Sequence, residues 1–138
     1  MSEVTRFYDR SIDGDGPVSG AIQLFHLAIP SVTNTSTVQQ INLPAGMAFE
    51  ITDIMFTAQA ISATPKLEIG TTSSGEEIVA SVSATTNLGA LTLVNGTVSA
   101  GGDIFVTVVA TASDALTGGD LTFVGHVTAP PTTLAYRA

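Results

Sequence analysis

Apolar and polar positions alternate along most of the chain with a period of two, the spacing at which successive side chains of an extended strand point to opposite faces. The pattern is strongest in residues 101–127, GGDIFVTVVATASDALTGGDLTFVGHV. Ile104, Val106, Val108 and Ala110 share one phase, and Phe105, Thr107, Val109 and Thr111 share the other. Both phases carry apolar groups, so this strand is expected at the centre of a sheet. Downstream, Leu121, Phe123, Gly125 and Val127 alternate with Thr122, Val124, His126 and Thr128, and Gly118-Gly119 marks the turn into them. The two halves read as a β-hairpin.

Upstream, residues 20–30 (GAIQLFHLAIP) predict a strand with Phe25, Leu27 and Ile29 inward, ended by Pro30. Residues 37–43 (TVQQINL) predict a short strand with a bulge near Gln39 and Gln40, and LPAGM reads as a reverse turn. In residues 47–60 (MAFEITDIMFTAQA), Phe49 and Ile51 are in one phase and Ile54, Phe56 and Ala58 in the opposite one. The flip at Thr52-Asp53 implies either a bulge or a strand that crosses between sheets. KLEIG follows with Leu67 and Ile69 inward, then a TTSSGE loop, then a short strand with Ile78, Ala80 and Val82 on one face. Leu91 and Leu93 precede Asn95-Gly96, a dipeptide suited to a two-residue hairpin turn. About eight strands, no helical period and turns rich in Gly and Pro predict an all-β fold, an antiparallel β-sandwich. A jelly roll is the first choice and an immunoglobulin-like sandwich the second. The predicted division is an N-terminal arm at 1–19, a sandwich domain at 20–128 and a C-terminal tail at 129–138.

Composition narrows the function classes. With 138 residues the chain fits one domain, and with no cysteine it has neither disulfides nor thiolate chemistry. Net charge is −8 and the only bases are Arg6, Arg10, Lys66 and Arg137, which argues against a nucleic-acid partner. No apolar run approaches the ~20 residues of a membrane helix, so no membrane partner is expected. Charged residues are only 12% of the chain, so the polar face is built mainly from Thr, Ser, Asn and Gln. Such a surface can pack against copies of itself at low side-chain entropy cost.

Candidate chemistry is sparse. Asp13-Gly14-Asp15-Gly16 has the flavour of a calcium loop, but lacks the third ligand and terminal Glu of an EF-hand. His26 and His126 fall in predicted strands and would become neighbours if the first and last strands pair, with Asp103 or Asp120 as further zinc ligands; satisfied or surface histidines are the competing reading. Ser73, Ser74, Glu76 and Glu77 have no nucleophile elbow around them, and Glu50 with Asp53 or Glu68 is a pairing that any acidic chain supplies. No catalytic residues, metal or cofactors are therefore expected. The terminal segments differ from the body. Arg6, Phe7, Tyr8 and Arg10 cluster near one end and Tyr136 and Arg137 near the other, a composition suited to an anchor that orders on a partner, with a solvated tail as the alternative.

The run INLPAGMAFEITDIMFTAQ, followed by LEIGTT, LGALTLVNGTVSAGGDIFVTVVAT and GGDLTFVGHV, resembles small virion structural proteins of tailed bacteriophages. It is similar in particular to capsid decoration, or cement, proteins built as jelly rolls. The resemblance covers residues 20–128, consists of strand and turn style, and transfers no catalytic residue. It implies a virion protein on the outer capsid surface, a homotrimer whose arms reach over neighbouring subunits of the major capsid protein. On that expectation Arg6, Phe7, Tyr8, Arg10, Tyr136 and Arg137 are the partner-binding residues. A receptor- or carbohydrate-binding module of a phage tail or head fibre would use the same sandwich, and a small enzyme would need its histidines and acids to converge in one cleft.

Overall fold

A computed structural model describes residues 20, 22–86 and 88–132 of the chain. They form β1 (Ile22–Ile29), β2 (Val32–Thr33), β3 (Thr37–Asn42), β4 (Ala48–Thr57), β5 (Ala60–Ser62), β6 (Lys66–Gly70), β7 (Val79–Ser83), β8 (Gly89–Ala90), β9 (Thr97–Val98), β10 (Asp103–Val109), β11 (Ala115–Thr117) and β12 (Gly119–Ala129). All pairings are antiparallel. One sheet has the order β1-β12-β4-β8, with β9 also on β4; a second has the order β3-β10-β6-β7; a small third, β2-β11-β5, lies off both. The all-β antiparallel architecture read from the sequence is the one observed.

Alternation explains why the two large sheets form a sandwich. β1 buries every second residue, placing Phe25, Leu27 and Ile29 inward, and β12 does the same with Leu121, Phe123 and Val127. Ile41, Leu67, Ile69, Ile104, Val106 and Val108 supply the inner face of the second sheet, and all of them belong to one core cluster. Phe25 stacks on Phe123 with centroids 4.8 Å apart and planes 7° from parallel, while Phe49 meets Phe25 edge-on at 5.9 Å. Such aromatic pairs add about 0.5–1.5 kcal/mol beyond the area they bury.

The phase flip in β4 is a bulge. Val124 of β12 faces Asp53 and Gly125 faces Ile51, so Thr52 is the extra residue, and its hydroxyl donates to the Val124 carbonyl. No bulge occurs at Gln39 and Gln40, whose register with β10 is unbroken. Gln39 is in phase with buried Ile41 and points inward, so a polar residue at a core position made the pattern look interrupted. The LPAGM turn is present: Met47 N–H donates to the Pro44 carbonyl at 3.0 Å, with Gly46 at φ 80° in the third position, as a type II turn requires.

Three local expectations are corrected. The strands of residues 101–127 do not pair as a hairpin: β10 lies between β3 and β6, β12 lies between β1 and β4, and β11 carries the chain from one sheet to the other. Asn95-Gly96 does not join β8 to β9 as a hairpin either, because both of those strands pair with β4. Asn95 Oδ1 instead accepts the Thr97 N–H, and Gly96 packs against the Ile51 carbonyl where a Cβ would collide. In β7 the shared face of Ile78, Ala80 and Val82 gives way to burial of both Ile78 and Val79, because the register on β6 shifts between Leu67 and Ile69. Beyond β12, Thr132 N–H donates to the Ala45 carbonyl at 2.8 Å.

Candidate functional site

Arg6, Phe7, Tyr8, Arg10, Tyr136 and Arg137 lie outside the described residues, as does the Asp13-Gly14-Asp15-Gly16 segment. The other sequence-derived candidates can be placed. β1 does pair with β12, yet His26 is opposite Thr122 and His126 is opposite Ile22. Four residues of strand separate the two positions, roughly 13 Å at ~3.3 Å per residue. Both histidines therefore share the outer face of one sheet without meeting at one ion. His26 Nε2 lies 2.9 Å from Asp120 Oδ2 in an exposed pair, and Asp103 belongs to the other sheet. Among the described residues no group of three or more His, Asp or Glu is placed to hold a metal.

The acids suggested as carboxylate pairs also stay apart. Glu50 accepts the Thr97 hydroxyl at 2.8 Å on the outer face of the first sheet, where Asp53 also stands, whereas Glu68 is on the outward phase of β6 in the second sheet. Ser73, Ser74, Glu76 and Glu77 form the loop between β6 and β7, and both acids are committed to backbone. Glu76 Oε1 accepts Ser81 N–H at 2.7 Å, and Glu77 accepts Thr71 N–H at 2.8 Å and the Thr72 hydroxyl at 3.2 Å. Gly70 and Gly75 leave the space that the Glu77 carboxylate occupies, since a Cβ on either would meet Oε1. The Thr71 N–H, then Glu77's own N–H, hold the carboxyl below its ordinary value of 4.5 against a smaller opposing effect of burial.

Glu77 opens on a polar cleft of about 340 Å³ at one end of the sandwich, where the β6–β7 loop meets β9 and the turn into β10. Thr71, Asn95, Thr97, Ser99 and Asp103 supply its other polar side chains, with Val98 and Gly102 between them. Two carboxylates, an amide and three hydroxyls offer donors and acceptors to a polyhydroxylated ligand. A groove of about 290 Å³ runs between β7 and the segment around β8, lined by Val79, Val82, Leu88, Leu91 and Val94 among others.

Asp114 is a buried polar residue that sequence reasoning passed over. Asp114 Oδ1 accepts Thr64 N–H at 2.9 Å, Oδ2 accepts Thr111 N–H at 2.9 Å, and its carbonyl accepts Asn34 N–H at 2.9 Å, tying three connections together. Asn34, Ala63 and Ala112, three of the four non-glycine residues with positive φ among the described residues, sit at or beside those bonds. The Thr111 N–H, then the Thr64 N–H, lower the Asp114 carboxyl from its ordinary 3.8, with Lys66 adding a weaker attraction and burial opposing. The Thr111-x-x-Asp114 spacing was the available signal, as a short polar side chain commonly bonds the backbone three residues away.

Comparison with known proteins finds no matching family model, no matching curated protein and no matching solved structure.

Proposed function

We propose that the chain is a virion structural protein, a jelly-roll capsid decoration protein of a tailed bacteriophage that sits on the outer head surface and stabilises it by bridging subunits of the major capsid protein. The observation that carries this reading is the division of labour along the chain. The described body has eight carboxylates and a single base, Lys66, and exposes apolar side chains on its sheet faces, while the other three bases and both tyrosines lie in the terminal segments. A body with a single base, and ends that gather three arginines and both tyrosines among four further acids, suits attachment by many weak copies at once, each arm gaining its affinity as it orders. The homotrimer implied by the resemblance is part of this proposal, and catalysis is not.

The test is co-sedimentation of the purified chain with capsids that lack it, at moderate salt, alongside heat inactivation of the loaded particles. Saturable binding that raises resistance to heat supports the reading. A chain without capsid affinity overturns it and favours a glycan-binding module of a fibre, for which the cleft beside Glu77 and Asp103 is the specific observation. A glycan array on the wild type and on Asp103→Asn would then decide.

A further inference from the structure

Long regular sheet edges are normally blunted, because a row of unpaired N–H and C=O groups recruits another strand. Here most edges are. β8 and β9 have two residues each, and β7 is interrupted by a register shift. Two are longer: β3, with six residues in register on β10 and Val38 as its exposed apolar side chain, and β1. β1 is the longer and more apolar of the two: it runs for eight residues in unbroken register with β12, contains no proline, carboxylate, lysine or arginine, and has no strand on its other side among the described residues. Its outward side chains include Ile22 and Leu24, 76% and 65% exposed. Val124 lies beside Leu24, and Met55 is its diagonal neighbour on β4, so the apolar path continues across the sheet.

The free backbone groups can be assigned. The Ala28 carbonyl accepts Gln39 Nε2 from the facing sheet at 3.1 Å, so it points away from β12. By the alternation of an extended strand, the N–H and C=O groups of Ile22, Leu24 and His26 point the same way. Gln39 closes one end of the edge and leaves the other open. We propose that this open edge pairs antiparallel with β1 of a second copy about a twofold axis at Leu24, joining the two β1-β12-β4 sheets into one. In that register Leu24 faces Leu24 of the partner subunit and Ile22 faces His26 of the partner subunit, which uses all three outward pairs of backbone groups.

Charge selects a second copy as the occupant. The chain carries −8, so two copies repel wherever carboxylates face each other. β1 carries none, and the stretch of β12 behind its open half, Phe123 to His126, carries none. The nearest acid on this face, Asp120, is held on His26 at the rim of the contact, and Glu50 and Asp53 stand one strand further back on β4. This contact is independent of capsid binding. If a threefold contact forms elsewhere on the body, the same pairing links one trimer to the next.

Sedimentation equilibrium of the full chain from about 1 µM to about 1 mM tests it, since pairing of one edge falls below the ~1,600 Å² of a standard stable interface and associates weakly. The mass is expected to double across the range, or to go from trimer to hexamer. The double variant Ile22→Lys/Leu24→Lys is expected to weaken the step at least ~10-fold, and Val94→Lys, at an exposed site remote from β1, to leave it unchanged. Because the chain has no cysteine, Leu24→Cys under mild oxidation should give a linked pair and Val94→Cys should not. A constant mass, or association equal in the double variant, overturns the proposal. So does a chain that stays single while the outward β1 amides resist hydrogen exchange, because its own terminal segment then fills the edge.

Discussion

Thr107 is buried to 3% exposure, and its hydroxyl has no hydrogen-bond partner among the described residues. It sits on the outward phase of β10 between Val38 and Glu68, where the neighbouring rows close over it. An unsatisfied buried hydroxyl costs about 1–3 kcal/mol, and valine keeps the β-branched shape without it. Thr107→Val should therefore raise stability by about 1 kcal/mol, read as a higher denaturation midpoint with an unchanged m-value. Phe123 is the opposite case, stacked on Phe25 at the centre of the core. Phe123→Ala should cost about 3–5 kcal/mol, a large part of the ~5–15 kcal/mol that holds a typical domain. Asp114 gives a pH signature. Its folded carboxyl titrates below the ordinary 3.8, so its contribution is complete above that value and is lost as pH falls through the lower, folded one. Thermal melts of wild type and Asp114→Asn should differ by a constant gap from pH 7 down to about pH 4, then converge on further acidification.

At the scale of elements, the bulge in β4 and the capped end of β1 show how single residues fix a strand. Gly125 faces Ile51 at the bulge, and a Cβ there would meet the Glu50 carbonyl and the Phe49 ring. Gly125→Ala should cost about 1–3 kcal/mol by overpacking, with urea melts as the check. What the sequence made legible follows the same physics. Period-two alternation locates strands and faces, so β1, β4 with its phase flip, and the central place of β10 could all be read. Alternation says nothing of which strand lies beside which. β10 and β12 looked like a hairpin because they lie close in sequence and a glycine pair leads into β12, yet β11 intervenes and each found its neighbours at long range. Asn95-Gly96 is a hairpin signal only when its flanking strands pair with each other, and β4 claimed both. Gln39 broke the pattern because its partner, the Ala28 carbonyl, belongs to the facing sheet. The cleft was illegible for the same reason, since Glu77 of the β6–β7 loop, Thr97 of β9 and Asp103 at the start of β10 are brought together only by the folded sandwich.

For the whole molecule, the uneven distribution of charge separates the two proposed contacts by the sign of their response to salt. The body is strongly acidic, so two copies meeting along β1 approach against a repulsion that extends over roughly a Debye length, about 10 Å at 0.1 M salt and about 3 Å at 1 M. Hydrophobic and backbone pairing at Ile22 and Leu24 is not screened. Added sodium chloride should therefore strengthen association between copies. The proposed attachment through Arg6, Arg10 and Arg137 would rely on the attraction of these bases for acidic groups on the capsid, which the same salt weakens. Titrating capsid occupancy and self-association side by side from about 0.05 M to about 0.5 M salt should give opposite slopes. Replacing the three arginines by glutamine, which removes three positive charges, should flatten the capsid slope, while self-association should still strengthen as salt is added. If both contacts weaken together as salt rises, a shared basic element makes them, and the assignment of one to β1 and the other to the terminal segments fails.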